Sequence, residues 1–140
     1  MKQHIHIITL GVNDFEKSKK FYAETLGWKP SRPQDDIAFF QAGGVVLSIY
    51  PREKLAEDAL ISPEGHGFSG FTLAYNAQSE SEVDEIIRDL KSKGVKIVKE
   101  PQKAFWGGYS SYFADPDDYR WEVAYNPFFP FDENGNLKLE

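Results

Sequence analysis

The sequence predicts an α+β fold in which two tandem βαβββ units form a cup-shaped mixed sheet with the helices outside. Two observations lead to this prediction. In each half, a β-branched stretch precedes an amphipathic helix that has its own start and stop signals. The same order of elements then recurs in the second half, and a repeated supersecondary pattern is stronger evidence than any single match.

The first half begins with the β-branched stretch "IITLGVND", which predicts a strand over residues 7–14. A helix is predicted over 14–26, because Asn13 and Glu16 have the spacing of a capping box and Gly27 is a stop signal. Three short strands complete the predicted unit; they lie near residues 28–30, 37–41 and 45–50.

The second half repeats this order, beginning with a strand at "GFTLAYN" (70–76). Ser79 and Glu82 form a second capping box, so a helix is predicted over 80–93. The strand "VKIVKEP" and the hairpin "YSSYFADPDDYRWEVAYNP" follow. Asp118 occupies the last position of the hairpin turn, where a positive φ is expected, and aspartate tolerates that conformation better than most residues.

The length of 140 residues fits one domain. We predict a first unit over 5–51, a linker over 52–69, a second unit over 70–127 and a tail over 128–140. The net charge of −6 argues against a nucleic-acid partner, and the absence of cysteine excludes disulfides and thiolate nucleophiles. The apolar run at the start is too short for a membrane span, so we expect a cytoplasmic protein with no membrane partner.

Two stretches, "LGVNDFEKSKKFYAETLGW" and "FADPDDYRWEVAYNP", resemble the vicinal-oxygen-chelate superfamily. Its members include glyoxalase I, extradiol dioxygenases, fosfomycin-resistance enzymes and bleomycin-binding proteins, and the resemblance covers about residues 5–127. It implies a cup whose concave face holds a divalent metal in the active members. There the metal chelates two adjacent substrate oxygens and stabilises developing negative charge.

The resemblance places the four metal-ligand positions at Ile7, Ser48, Gly70 and Glu122, and only the last is a ligand type. Three protein ligands are the usual minimum for a catalytic zinc, so we predict no standard metal site and no cofactor. His4 and His6 lie two apart on one strand and could chelate a metal. We interpret them instead as histidines at a frayed strand end, because a metal needs further ligands.

Strand alternation predicts which side chains face the cup. The predicted ligand-binding residues come from both units: Ile7, Thr9, Ser48, Tyr50, Thr72, Trp106, Tyr109, Arg120 and Glu122. Trp106 and Tyr109 lie in "FWGGYSSYF", which is either a ligand-facing wall or a set of core aromatics around a bulge. Glu122 is either a catalytic acid or base in an aromatic surrounding, or a carboxylate satisfied by Ser48, Thr72 or Arg120.

Three functional hypotheses follow. The first is a protein that binds a small organic molecule in its cup without the standard metal. The second is an enzyme of lyase, isomerase or dioxygenase type that uses Glu122 as acid, base or metal ligand. The third is a module kept mainly for interaction as a homodimer. The aromatic tail at 128–131 is predicted to pack on the module or on a partner subunit.

Overall fold

A computed structural model of the protein describes Met1, residues 5–31 and residues 36–137. His4 therefore lies outside the described residues. The chain divides into two units, Met1–Gly67 and Phe68–Glu140, and each is described by itself. No helix within the described ranges is long and apolar enough to cross a membrane.

The first unit contains a four-stranded mixed sheet with helices. In chain order, its elements are strand β1 (Ile7–Val12), helix α1 (Phe15–Lys20), a π-helical segment (Phe21–Thr25), strands β2 (Pro30–Ser31), β3 (Ala38–Ala42) and β4 (Val45–Pro51), and helix α2 (Arg52–Asp58). The strand order is β1-β4-β3-β2, with β1 parallel to β4 and the other pairs antiparallel. This is the predicted βαβββ order, including the short strand near residues 28–30.

An aromatic cluster fills the space between the first sheet and its helical segment. Tyr22 is fully buried, and its ring centroid lies 5.7 Å from that of Phe40 and 6.0 Å from that of Trp28. Leu10 and Val12 of β1 are buried too, while Ile7 is exposed. Alternation in β1 therefore buries the face that carries Leu10 and Val12.

Two details of the first helix differ from the prediction. Its N-cap is Asp14, whose Oδ1 accepts a hydrogen bond from the backbone N–H of Lys17 at 3.0 Å, so the predicted capping box from Asn13 is wrong by one residue. Aspartate is as favourable an N-cap as asparagine, so the residue types alone did not separate the two. The second half of the helix is a π-helix, closed by Leu26 N–H donating to the Phe21 carbonyl.

Part of the predicted linker is helical. Helix α2 contacts β1 and β4, and a Cβ atom built on Gly11 would lie 3.2 Å from the Arg52 Cα and 3.3 Å from a Leu55 methyl. The small size of Gly11 therefore lets α2 approach the strand.

The second unit repeats the architecture of the first. Its elements are strand β5 (Leu73–Ala77), helix α3 (Glu80–Ser92), and strands β6 (Lys96–Lys103), β7 (Tyr109–Ala114) and β8 (Arg120–Tyr125). The strand order is β5-β8-β7-β6, with β5 parallel to β8 and the other pairs antiparallel. Both units thus confirm the α+β prediction of four-stranded mixed sheets accompanied by helices.

Helix α3 begins and ends where its sequence signals predict. Ser79 Oγ accepts the Glu82 N–H at 3.1 Å, and Glu82 Oε2 accepts the Gln78 N–H at 2.7 Å. Gly94 follows the last turn at φ 77°, a conformation that favours glycine. Val83, Ile87 and Leu90 form its buried stripe.

Strand β5 starts three residues later than predicted. Gly70 has φ 86°, which is incompatible with a strand, so Phe71 and Thr72 precede β5 rather than belong to it. Tyr75 of β5, an edge strand of its sheet, is about half exposed, and so is the preceding Phe71. The Tyr75 hydroxyl donates to Glu82 of α3 at 2.9 Å.

The β7–β8 turn confirms the predicted role of Asp118, which has φ 67°. Asp115 organises this turn, because its Oδ1 accepts hydrogen bonds from the N–H groups of Asp117 and Tyr119, both at 2.9 Å. The turn fixes the register of the hairpin, which pairs Tyr112 with Glu122 and Phe113 with Trp121.

Candidate functional site

The two faces of the second sheet carry different kinds of side chain. Trp121 and Val123 of β8 are buried, as are Ser111 and Phe113 of β7, and this face packs with α3. Glu122 lies between Trp121 and Val123, so its side chain is on the opposite face. The Glu122 carboxylate on that opposite face is half-buried.

We call this opposite surface the polar face, defined by Thr72, Lys99, Ser110, Tyr112 and Glu122. Strand pairing brings these residues together: Tyr112 is the register partner of both Glu122 on β8 and Lys99 on β6. Ser110 lies on the same side of β7 as Tyr112, two residues before it. Thr72 precedes β5, whose Ala74 is the register partner of Glu122.

Tyr112 is the centre of the polar face. Burial, followed by the negative charge of Glu122, raises the pKa of the Tyr112 phenol, while the Thr72 hydroxyl acts in the opposite direction. The Lys99 ammonium lies over the Tyr112 ring, 5.6 Å from its centroid. A neutral phenol is therefore flanked by a carboxylate, a hydroxyl and an ammonium, which together provide both donors and acceptors of hydrogen bonds.

Lys99 is held at this position by a second contact. Its Nζ donates to Ser110 Oγ at 3.0 Å, and Ser110 is 1% exposed. Among the ion pairs of the described ranges, none involves Lys99 or Glu122. A half-buried cation and a half-buried carboxylate on one face thus keep hydrogen-bonding capacity for another molecule.

The remaining residues of the predicted site are placed as follows. Arg120 is on the same side of β8 as Glu122, but its Nη2 binds Asp118 Oδ2 at 2.9 Å, so it forms an ion pair with Asp118 rather than with Glu122. Tyr109 lies on the helix side of β7, and its hydroxyl donates to Asp84 of α3 at 2.9 Å. The structure therefore does not bring Tyr109 to the polar face.

The Trp106 indole packs on the turn between β6 and β7. A Cβ atom built on Gly108 would lie 1.6 Å from the Trp106 ring, so the indole lies directly against the glycine. Gly107 has φ 92°, and it shapes the turn between β6 and β7 together with the hydrogen bond from Ala104 N–H to the Gly108 carbonyl. This contact places the Trp106 ring against the backbone of the β6–β7 turn.

In the first unit, two predicted site residues contact each other. Thr9 and Ser48 are register partners, and Ser48 Oγ donates to Thr9 Oγ1 at 2.6 Å. Ser48 is fully buried, and Ile7 and Tyr50 lie on the same face at more exposed positions. The hydroxyl pair therefore satisfies itself within the first sheet.

Lys99, Ser110 and Tyr112 were not predicted as site residues from the sequence. The last two had a usable signal: a hairpin folded about "DPDD" pairs Tyr112 with Glu122 and places Ser110 on the same face. Lys99 had no such signal in the sequence, because the register of β6 with β7 shifts both before and after Lys99. Such irregularities break the period of two on which alternation depends.

The Glu122–Tyr112 contact predicts a measurable titration. With the Glu122 charge present, we expect the Tyr112 phenol to have a pKa above its ordinary 10.0, and the Glu122→Gln variant to lower it. Because the folded-state pKa is the higher one, this group's contribution to stability is present below pH 10 and is lost as pH rises through the folded pKa. The pKa of the Tyr112 phenol is measured by following the NMR chemical shifts of its ring carbons as a function of pH.

Tyr109 is the control for this titration. Its pKa is raised first by its hydrogen bond to Asp84, on the opposite face, so Glu122→Gln should leave it unchanged. An unchanged Tyr112 pKa in the Glu122→Gln variant would show that the two side chains do not interact.

The residues at the four implied metal positions do not fit a divalent ion. The side chains of Ile7 and Gly70 have no atom that can ligate a metal, and the Ser48 hydroxyl donates a hydrogen bond to Thr9. The Glu122 carboxylate is then the one remaining ligand among the four positions. Within the described part of the chain, no group of three or more histidine, aspartate or glutamate side chains is placed to hold a metal. His6 and His66 are exposed.

A family model described as the Glyoxalase/Bleomycin resistance protein/Dioxygenase superfamily matches residues 4–123. The YraH protein of Bacillus subtilis, described as uncharacterised, is 34% identical over 116 residues, covering 79% of this chain and 88% of its own. A metallothiol transferase, FosB of Staphylococcus saprophyticus, is 28% identical over 123 residues, covering 88% of this chain and 77% of its own.

A solved structure extends this similarity over nearly the whole chain. A glyoxalase-related enzyme from Fulvimarina pelagi is 34% identical, with a TM-score of 0.89 and 98% of each chain covered. A lactoylglutathione lyase from Agrobacterium tumefaciens has a TM-score of 0.73 at 22% identity, covering 94% of this chain and 100% of its own. At that identity the second comparison supports the fold alone.

Proposed function

Because the chain belongs to the Glyoxalase/Bleomycin resistance protein/Dioxygenase superfamily, we propose that it binds a small organic molecule at the polar face of its second sheet. The observation that carries this proposal is the placement of Tyr112 between the Lys99 ammonium and the Glu122 carboxylate. The superfamily contains proteins of many activities, so the chemistry of this face, rather than the fold, supports the proposal.

The polar face has the composition of a binding surface for a small polar molecule. It offers an ammonium and a phenol as donors, a carboxylate as acceptor, and an aromatic ring as an apolar contact. Partial burial strengthens hydrogen bonds at this face, because the local dielectric is lower than that of water. Convergence of these groups on one half-buried tyrosine favours a ligand rather than a purely structural role.

We propose binding without the standard metal, because the residues at the implied ligand positions do not fit one. Glu122 supplies one ligand, whereas a catalytic zinc usually needs three, and the Ser48 hydroxyl is hydrogen-bonded to Thr9. The ligand is instead recognised by hydrogen bonds and charge from the side chains of the polar face.

A second candidate function is catalysis by Glu122 as acid or base. The supporting observation is its position beside the Tyr112 phenol, whose pKa is raised by burial and by the Glu122 charge, so that the Tyr112 hydroxyl keeps its proton next to the carboxylate. The FosB relative is a transferase by name, and the Fulvimarina pelagi neighbour is described as an enzyme. An activity of this chain would then depend on proton transfer at Glu122.

A fragment screen tests the binding proposal. We expect ligands from a library of small organic compounds to shift the backbone amide signals of Ser110 and Tyr112 in ¹⁵N NMR spectra and to raise the melting temperature. Binding to the native state stabilises it by about 2.7 kcal/mol when the ligand is present at about 100 times its dissociation constant.

Two conservative variants on one strand make the screen specific. Tyr112→Phe removes the hydroxyl of the polar face, whereas Tyr109→Phe removes a hydroxyl on the helix side of the same strand. We expect the first variant to weaken binding and the second to leave it unchanged. Hits that shift only signals outside the polar face, or that bind both variants equally, would contradict the proposal.

We further propose a homodimer in the cytoplasm, without a nucleic-acid or membrane partner. The net charge of −6 supports the exclusion of nucleic acid, and the exposed Phe128 and Phe129 of the tail support a subunit contact. Native mass spectrometry of the purified protein measures the oligomeric state and retains any bound molecule. A monomer at all concentrations would contradict the dimer.

A further inference from the structure

We propose that the ligand of the polar face carries a carboxylate group, which binds the ammonium of Lys99. This inference rests on the proposed function and adds the chemical class of the molecule. Its starting point is the geometry around Lys99, the one half-buried lysine of the second unit's described residues.

The Lys99 side chain is held in place by two contacts, but it has no carboxylate partner among the described residues. Its Nζ uses one hydrogen-bond donor on Ser110 Oγ at 3.0 Å, and the Tyr112 ring lies beneath it at 5.6 Å. An ammonium has three donors, so two remain that form no hydrogen bond with the described residues. A partly desolvated cation is costly without a counter-charge, and none of the ion pairs within the described ranges supplies one. An anionic group of a ligand would satisfy both needs.

The local charges favour a ligand with a single negative charge. The Arg120 guanidinium is paired with Asp118, so the Lys99 ammonium is the cation of the polar face that can bind an anion. Glu122, on the other side of Tyr112, repels a second negative charge and instead accepts a hydrogen bond from a hydroxyl or an amine. A monocarboxylate matches this pattern, with the acid directed to Lys99 and a donor group directed to Glu122.

Lys103 provides a matched comparison within the same strand. Its Nζ also lies over a tyrosine ring, 5.7 Å from the centroid of Tyr109. That lysine differs in having a carboxylate partner, Glu80 of α3. The two lysines therefore share an aromatic contact; Lys103 is more exposed and has a counter-charge, whereas Lys99 is half-buried and lacks one among the described residues.

Acetate and acetamide are the probes that test this inference, because they have nearly the same shape and differ in charge. Each is titrated into the full-length protein at constant ionic strength, and the backbone amide signals of Ser110 and Tyr112 are followed by NMR. We expect acetate to bind about tenfold more tightly than acetamide, as expected for a hydrogen bond to a charged group. The Lys99→Met variant should lose this preference, and Lys103→Met should keep it.

The outcomes separate this inference from the proposed function. Equal affinity for the two probes, no shift with either, or a preference for acetate that survives in Lys99→Met, would overturn the carboxylate assignment. Neutral fragments that still bind at the polar face would then leave the proposed function standing. If no fragment of the library binds there, the proposed function fails, whatever the behaviour of acetate. Unchanged amide signals away from position 99 show that the variant is folded.

Discussion

Truncating Tyr22 to alanine is expected to lower the free energy of unfolding by about 3 to 5 kcal/mol, as for other large aromatic side chains in protein cores. Tyr22 is fully buried against Phe40 and Trp28. Removing its ring deletes apolar contact and leaves a cavity that the rigid rings around it can fill only in part. Urea denaturation followed by circular dichroism measures the change.

Phe105→Ala is the control for this prediction, because Phe105 has a side chain of similar size that is fully exposed. Its truncation should change the free energy of unfolding by about 0.5 kcal/mol or less. Similar losses for the two variants would mean that the aromatic cluster of the first unit does not stabilise the fold as its burial indicates.

Replacing Glu122 with glutamine is expected to separate folding from catalysis. The amide has nearly the shape of the acid, so stability should change by about 1 kcal/mol or less. If Glu122 transfers a proton, the variant should lose about 10²- to 10⁴-fold in turnover, the usual contribution of a general acid or base. Consumption of a small-molecule library by the wild-type protein and the variant, followed by mass spectrometry, measures the difference.

Glu100→Gln is the matched control for this experiment. Glu100 lies on β6 and pairs with Lys91 at 2.5 Å on an exposed surface, so its replacement should leave turnover unchanged. Equal rates for wild type and Glu122→Gln on a compound that the protein consumes would remove Glu122 from the mechanism. The binding proposal does not depend on that result.

The sequence predicted the order of elements well because its signals are local. The capping residues of α3, the glycine that ends it and the aspartate of the β7–β8 turn each act within a few residues. The N-cap of α1 was misplaced because Asn13 and Asp14 are equivalent by residue type. The π-helical turn after α1 had no marker, since no proline or glycine interrupts residues 15–25.

The candidate site was predicted in part, for the same reason. Alternation around Trp121 and Val123 correctly assigned Glu122 to the face opposite the core, because both neighbours had to be buried. The partners of Glu122 depend on strand pairing and could not be read from one strand. Lys99 reaches Tyr112 only through irregular pairing of β6 with β7, which no local pattern encodes.

The parallel pairing of β1 with β4 has a consequence for the order of folding. Thr9 pairs with Ser48, so α1, the π-helical segment, β3 and the β3–β4 turn lie within the loop that this contact closes. Closing a loop of this length costs about 3 kcal/mol of chain entropy by the logarithmic rule. The β3–β4 hairpin is local and can form earlier, and β1 then docks on a preformed edge. Parallel pairing of β5 with β8 closes a similar loop in the second unit, so we expect each unit to nucleate at its last hairpin and to be completed by its first strand.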